Sequence, residues 1–360
     1  MKTPHLALVF KDFAAWCRSS CVGLNVAGFA TAEVLRDAGI DVTVFPVRHN
    51  VDLVHAIDSY NQTHEHRLTH VVISAPWLSI FDLQSLLYGF PEIHFAILSH
   101  SNVGFLQADP EGVRLLRKYH QLSKEFDNFT VGGNCDRFAE WMNCAYGESD
   151  CDIVHLPNLY PIWTAKSTTW TYGTLKIGAF GAVRPYKNFM TAAGAAIAMQ
   201  RMLGVPVEFH MSAGGEGDDM VAPAIAQIFE GTGVTLVTHP WRYWDDFIQL
   251  IGTMDILLQP SYTESFNMVT ADGILQGVPS VVGPAIRWAP DSWKADPDDA
   301  MDVARVAMDL LFNRRDRMAG LPALREHNEK SLHKWATFLG LRRLTFWMRM
   351  KKLLDRLLGL

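Results

Sequence analysis

The sequence predicts an α/β chain built from two Rossmann-like, doubly wound domains. Three observations carry this expectation. The chain has 360 residues, which suits two domains of about 170 residues each. Short apolar runs alternate with helix-like stretches from end to end, the pattern of parallel sheets covered by helices. The alternation restarts near Leu175, after an aperiodic segment between Pro157 and Gly173 that is rich in proline, tryptophan and threonine. We therefore expect an N-terminal domain over 1–170, a C-terminal domain over 171–335 and a separate basic amphipathic helix over 336–360.

In the first half the strand candidates are Leu6–Phe10, Val42–Phe45, Val71–Ser74, Phe95–Leu98 and Ile153–Leu156. Between the first two, Val26, Ala30 and Val34 share one face of a helix over Asn25–Ala38, and Gly39 supplies the stop. In the second half the runs are Lys176–Phe180, Val207–Ser212, Val234–Val237, Ile256–Leu258 and Ser280–Val282. A long helix is expected from about Phe189 to Leu203, with Asn188 to cap its start and Gly204 to end it. From His333 to Leu360 seven Lys/Arg face one acid, Asp355, and apolar residues such as Leu341, Leu344, Trp347 and Met348 recur near helical spacing. Such a helix suits an anionic membrane surface, or equally a packed helix at the domain junction with its basic face solvated.

Composition narrows the function classes. Apolar residues make up 49% and charged residues 19%, which supports large cores rather than disorder. A formal charge of −6 argues against a protein that coats nucleic acid. The run Leu6–Phe10 is too short for a secretory h-region, and no uncharged stretch reaches the roughly 20 residues of a membrane span. Cys17, Cys21, Cys135, Cys144 and Cys151 form no paired framework, so reduced thiols in a cytoplasmic protein are expected. Cys17 and Cys21 lack two further ligands for zinc, and His64, His66 and His70 lie in a polar stretch that reads as a loop.

Two strand-to-helix turns carry the chemistry. In the first, Gly178-Ala179-Phe180-Gly181-Ala182-Val183-Arg184-Pro185-Tyr186-Lys187-Asn188 places small residues, an Arg and a Lys before a helix start. A helix N-terminus offers unpaired N–H groups and positive partial charge to a phosphate, and Arg184 and Lys187 add full charges there. In the second, Glu264 and Asp272 stand eight residues apart, about 12 Å if the segment is mostly helical. That separation spans a hexose, two phosphates and a ribose, so each carboxylate can take sugar hydroxyls while backbone amides at Ser265, Phe266 and Asn267 meet phosphates.

These two turns resemble the retaining GT-B glycosyltransferases that carry a G-x-(x)n-R/P-x-K-(G/N) turn and an E-x7-E motif. The likeness covers Leu175 to about Leu311 and is weaker over the first half. It implies a GT-B fold, two domains facing a cleft, and metal-independent transfer from a UDP- or GDP-sugar with no cofactor. By resemblance Glu264 matches the acid that contacts the donor hexose and Asp272 the acid that binds ribose. Arg184 and Lys187 match the basic pair at the departing diphosphate, with Gly181 in their turn. Ser212-Ala213-Gly214-Gly215 matches the glycine turn beside the nucleotide. Three departures stand out: Asp272 is one methylene shorter than the usual Glu, Asn267 replaces a usual glycine, and Ala182 stands where many relatives have the Arg.

In the first half, Gly23-Leu24-Asn25 with Gly28 follows the first strand and is placed, by the same resemblance, to approach donor phosphates; plain turn geometry explains it equally. His100 follows the strand Phe95–Leu98, where ligands of open α/β sheets bind, and the resemblance puts a His near the reacting sugar. Asp150-Cys151-Asp152 and Asp296-Pro297-Asp298 look like metal-binding D-x-D tripeptides, but neither follows an apolar strand as that chemistry requires. His239-Pro240-Trp241 borders a base pocket or serves packing alone. The expected acceptor is a glycan or a lipid-linked glycan, with peripheral contact at the inner membrane face through 336–360. Transfer to modified DNA bases, an epimerase, and a non-catalytic sugar-nucleotide- or glycan-binding protein are the alternatives.

Overall fold

The computed structural model describes residues 4–12, 21–146, 153–163, 170–213 and 220–341. The chain divides into two compact units, the first holding the described parts of 1–12, 27–161 and 327–360 and the second those of 13–26 and 162–326. Cys17, Cys151, Asp150, Asp152, Gly214, Gly215 and the basic run over 342–360 lie outside the described residues.

The first unit is a six-stranded parallel sheet. Its strands are β1 (His5–Lys11), β2 (Asp41–Val47), β3 (His70–Ser74), β4 (His94–Ser99), β5 (Phe129–Gly133) and β6 (Val154–His155), in the spatial order β2-β1-β3-β4-β5-β6. Helices cover both faces, so strand residues of either parity are buried. In β1, Leu6 and Leu8 join the cluster of Ala32, Leu35 and Trp335, while Ala7 and Val9 join that of Leu53, Leu86 and Phe95. This two-sided burial explains why the strands read as continuous apolar runs rather than as alternating ones.

β5 is the strand that sequence reading passed over. Only Phe129-Thr130-Val131 precedes Gly132 and Gly133, which looks like a loop. Gly133 is small because the ring of Phe138 lies where a Cβ would sit, 2.4 Å away. β6 is shorter than expected, with Val154 and His155 alone pairing to β5.

The second unit is a five-stranded parallel sheet of β7 (Leu175–Ala179), β8 (Val207–Ala213), β9 (Val234–Pro240), β10 (Ile256–Gln259) and β11 (Ser280–Val282), ordered β11-β10-β7-β8-β9. The chain runs outward from β7 through β8 to β9, then returns to the other side of β7 and runs outward again. β7 and β10 are therefore neighbours, with Leu257 opposite Gly178, and the strand order reverses between them. The helix Phe189–Leu203 has the expected bounds. The Asn188 side chain accepts from the Thr191 N–H, and Gly204 closes the other end with φ +67°.

The described residues from His327 to Leu341 group with the first sheet. In the helix Gly320–Phe338, Trp335 is 1% exposed, and its indole donates to the Pro157 carbonyl at 2.9 Å. Ala336 and Leu339 are buried, so the described start of the 336–360 segment belongs to the core. No described helix is long and apolar enough to cross a membrane. Trp335→Ala, which deletes a filled site and a buried hydrogen bond, is expected to cost about 3–5 kcal/mol in denaturant unfolding.

Candidate functional site

The strand order of the second sheet reverses between β7 and β10, and the carboxyl ends at such a reversal are the usual binding place in open α/β sheets. Both motif-bearing turns leave the sheet there. The first leaves β7 through Phe180 and Gly181, whose φ of +120° suits glycine. Arg184 is half-buried in extended backbone, and Pro185–Lys187 form one 3₁₀ turn that delivers Lys187 to the start of the long helix. Asn188 adopts φ +59°, a conformation asparagine tolerates better than most residues.

The second turn leaves β10 at Gln259 and is tied to the first by four contacts. The Gln259 amide donates to the Phe180 carbonyl at 3.2 Å, and the Asn188 amide to the Pro260 carbonyl at 3.1 Å. The Tyr262 N–H reaches the Tyr186 carbonyl at 3.0 Å. Lys187 Nζ meets Glu264 Oε1 at 2.5 Å. The Glu264 side chain is only 9% exposed, so its charge requires partners, and Oε1 receives three: Lys187 Nζ, Ser261 Oγ at 2.9 Å and Asn267 Nδ2 at 3.0 Å. Among the described residues nothing hydrogen-bonds to Oε2. One oxygen is thus anchored from three directions while the other keeps its acceptor capacity.

Close packing supports this turn from below. At Gly283, just after β11, a Cβ would stand 2.4 Å from the Ser261 carbonyl oxygen. Phe266 is buried against Trp288, ring centroids 5.1 Å apart, and the Trp288 indole donates to the Phe266 carbonyl. Ser265 is half-buried beside it.

Asp272 lies inside the helix Met268–Gln276, 2% exposed, and Oδ1 accepts the Trp244 indole N–H at 3.1 Å. Trp244 in turn packs against Trp163, ring centroids 5.6 Å apart. Sequence reading missed Trp244, because its link to Asp272 joins residues on separate elements and leaves no motif. Ser212, at the end of β8, accepts from the Gly181 N–H at 3.3 Å and so supports the first turn. His210 and His239 stack with their rings 5.1 Å apart. Burial, His210 and Arg242 hold His239 down at about 4, so it is neutral at physiological pH.

In the first unit, His100 follows β4 with both ring nitrogens engaged, at 2.8 Å from Ser74 Oγ and 3.1 Å from Asn134 Nδ2. Since the Asn134 amide can only donate, Nδ1 accepts and Nε2 carries the proton toward Ser74. Burial lowers its pKa to about 4, which fits this neutral, fully bonded ring. Gly23 falls within the helix Cys21–Asp37, and its φ is not positive. Asp298 accepts from the Tyr262 hydroxyl and Asp296 from the Asp298 N–H, so that tripeptide forms a turn. Among the described residues, no three His, Cys, Asp or Glu side chains converge as a metal-binding group.

Gly283→Ala would push a methyl group into the Ser261 carbonyl and displace the turn that carries Glu264. A stability loss of about 1–3 kcal/mol is expected in thermal unfolding.

No protein-family model matches the chain, and no curated protein matches it by sequence. Solved structures do match its backbone. Sucrose-phosphate synthase from Thermosynechococcus elongatus aligns with a TM-score of 0.56 at 12% identity, over 97% of this chain and 99% of that one. A glycosyltransferase from Rickettsia africae aligns with a TM-score of 0.58 at 11% identity, again over 97% and 99%. TarM from S. aureus, solved in complex with UDP, gives 0.55 at 14% identity over 80% of this chain. This chain spans 59% of the length of that TarM chain. The two parallel sheets, of six and five strands, are those of the GT-B fold.

Proposed function

We propose that the chain is a retaining, metal-independent glycosyltransferase that moves a sugar from a UDP- or GDP-sugar to a glycan or lipid-linked acceptor. The observation that carries this reading is the pairing of Lys187 with Glu264 across the two turns, with Glu264 Oε2 left to accept a sugar hydroxyl. A similar fold has been solved with UDP, in TarM.

In the reaction, the bond from the sugar anomeric carbon to the β-phosphate oxygen breaks, and its electron pair stays on the phosphate. The acceptor hydroxyl forms the new bond on the face the phosphate leaves and gives up its proton there. Negative charge grows on the phosphate, so fixed positive groups contribute most of the acceleration. Lys187 spends one N–H on Glu264 and has two more for phosphate oxygens. Arg184 and the backbone amides of the Ser265–Asn267 segment serve the same diphosphate. Glu264 orients the sugar and forms no covalent bond. A ribose hydroxyl approaching Asp272 shares that carboxylate with Trp244 or displaces its indole. His100, neutral and bonded through both ring nitrogens, shapes the end of β4 and transfers no proton in the reaction. A cytoplasmic setting, with the basic run over 342–360 against an anionic membrane surface, completes the reading.

The test is a scan of nucleotide sugars by thermal shift and slow donor hydrolysis, with Lys187→Ala and Glu264→Gln beside the parent. One donor should raise the midpoint, by an amount set by its concentration over Kd. Hydrolysis of that donor should fall by about 10²–10³ in Lys187→Ala, each variant being judged against its own midpoint. No shift with any nucleotide sugar or free nucleotide contradicts the proposal. A shift with no hydrolysis or transfer points to a sugar-nucleotide-binding protein.

A further inference from the structure

We infer that Asn267 is the positioning residue for Glu264: its side-chain amide clamps the carboxylate between β10 and the helix that follows, in the rotamer that turns Oε2 toward the donor sugar. The donor-facing part of this statement rests on the function proposed above; the clamp itself does not.

The argument begins with the backbone. Asn267 has φ +68° and ψ +87°, a left-handed conformation that glycine adopts at no cost and that asparagine tolerates. Backbone geometry alone would therefore be met best by glycine, and the asparagine must do something a glycine cannot. Every polar atom of its amide group is in use. Oδ1 accepts from the Thr270 N–H at 2.9 Å and caps the helix Met268–Gln276. Nδ2 donates to Gln259 Oε1 at 3.1 Å and to Glu264 Oε1 at 3.0 Å.

Cap duty needs only the oxygen. Serine and aspartate also cap, yet neither offers an amide donor. The two bonds from Nδ2 are the feature that requires this residue type. Gln259, the last residue of β10, is itself fixed through its own amide to the Phe180 carbonyl at the end of β7. A continuous hydrogen-bonded line therefore runs from β7 through Gln259 and Asn267 to Glu264, and Lys187 returns it to the first turn. Asn267 is 5% exposed and Gln259 3%, so water does not substitute for these bonds.

Two variants separate the roles. Asn267→Gly keeps the left-handed backbone and removes cap and clamp together. Asn267→Asp keeps the cap and replaces the donor with a second carboxylate facing Glu264. The first measurement needs no substrate: a double-mutant cycle of Asn267→Gly with Glu264→Ala, read as the unfolding equilibrium constant. The clamp requires that Asn267→Gly change that constant at least fivefold less when Glu264 is already absent. Additive effects would overturn it.

The second measurement uses whichever nucleotide sugar the parent turns over. Asn267→Gly should lower kcat at least tenfold with KM moved less than threefold. Asn267→Asp, which keeps the cap but sets a second carboxylate against Glu264 in place of the donor, should lower kcat at least as much. A parent that turns over while both variants match it in kcat overturns the inference. A parent that turns over no donor, with a coupled stability cycle, rejects the proposed function and leaves the clamp standing.

Discussion

The second unit is organised around one nearly buried carboxylate. A charged group that is only 9% exposed is costly to hold away from water unless donors surround it. Glu264 is held by an ammonium from the turn after β7, a hydroxyl from its own turn and an amide at the start of the following helix. All three act on one oxygen. The remaining oxygen is fixed in direction without being consumed, which is what a group that must recognise a hydroxyl requires. Removing Lys187 strands the carboxylate, whereas removing Glu264 frees an ammonium that is already 24% exposed. The two losses are therefore unequal, and the carboxylate is the more demanding partner.

Topology makes this arrangement available. Among the described residues two strands and three α-helices lie between β7 and β10 in sequence, yet β7 and β10 pair directly. The turn carrying Lys187 and the turn carrying Glu264 consequently leave the sheet side by side. Gln259 and Asn188 stitch the two turns through backbone carbonyls, so the site is held on rigid elements rather than on free loops. Gly283 and Gly178 keep their neighbours close by having no side chain, at Ser261 and Leu257 respectively.

Much of the fold was legible in the amino-acid sequence because its signals are local. Strands buried on both faces show as uninterrupted apolar runs, and Asn188 and Gly204 mark the ends of their helix by backbone preference alone. β5 escaped because two glycines, of which Gly133 admits the Phe138 ring, dilute its short apolar run. The order of the strands was not legible, since pairing of β7 with β10 is a long-range outcome of packing. At the site, residue types at Arg184, Lys187, Glu264 and Asp272 drew attention through their chemistry and spacing. What those side chains bond to could not be read the same way. Asn267 entered as a departure from a glycine and emerged as a ligand of Glu264. Trp244 gave no signal, because an indole donating to Asp272 leaves no trace in spacing. His100 looked reactive as a sequence, while its two nitrogens are committed to Ser74 and Asn134.

The most direct test of the account is a crystal structure of the chain with a non-cleavable analogue of its nucleotide-sugar donor. The account predicts a sugar hydroxyl within about 3 Å of Glu264 Oε2, a diphosphate oxygen on Lys187 Nζ, and Asn267 still bonded to Oε1. A sugar seated away from Glu264, or a diphosphate held without Lys187, would contradict it.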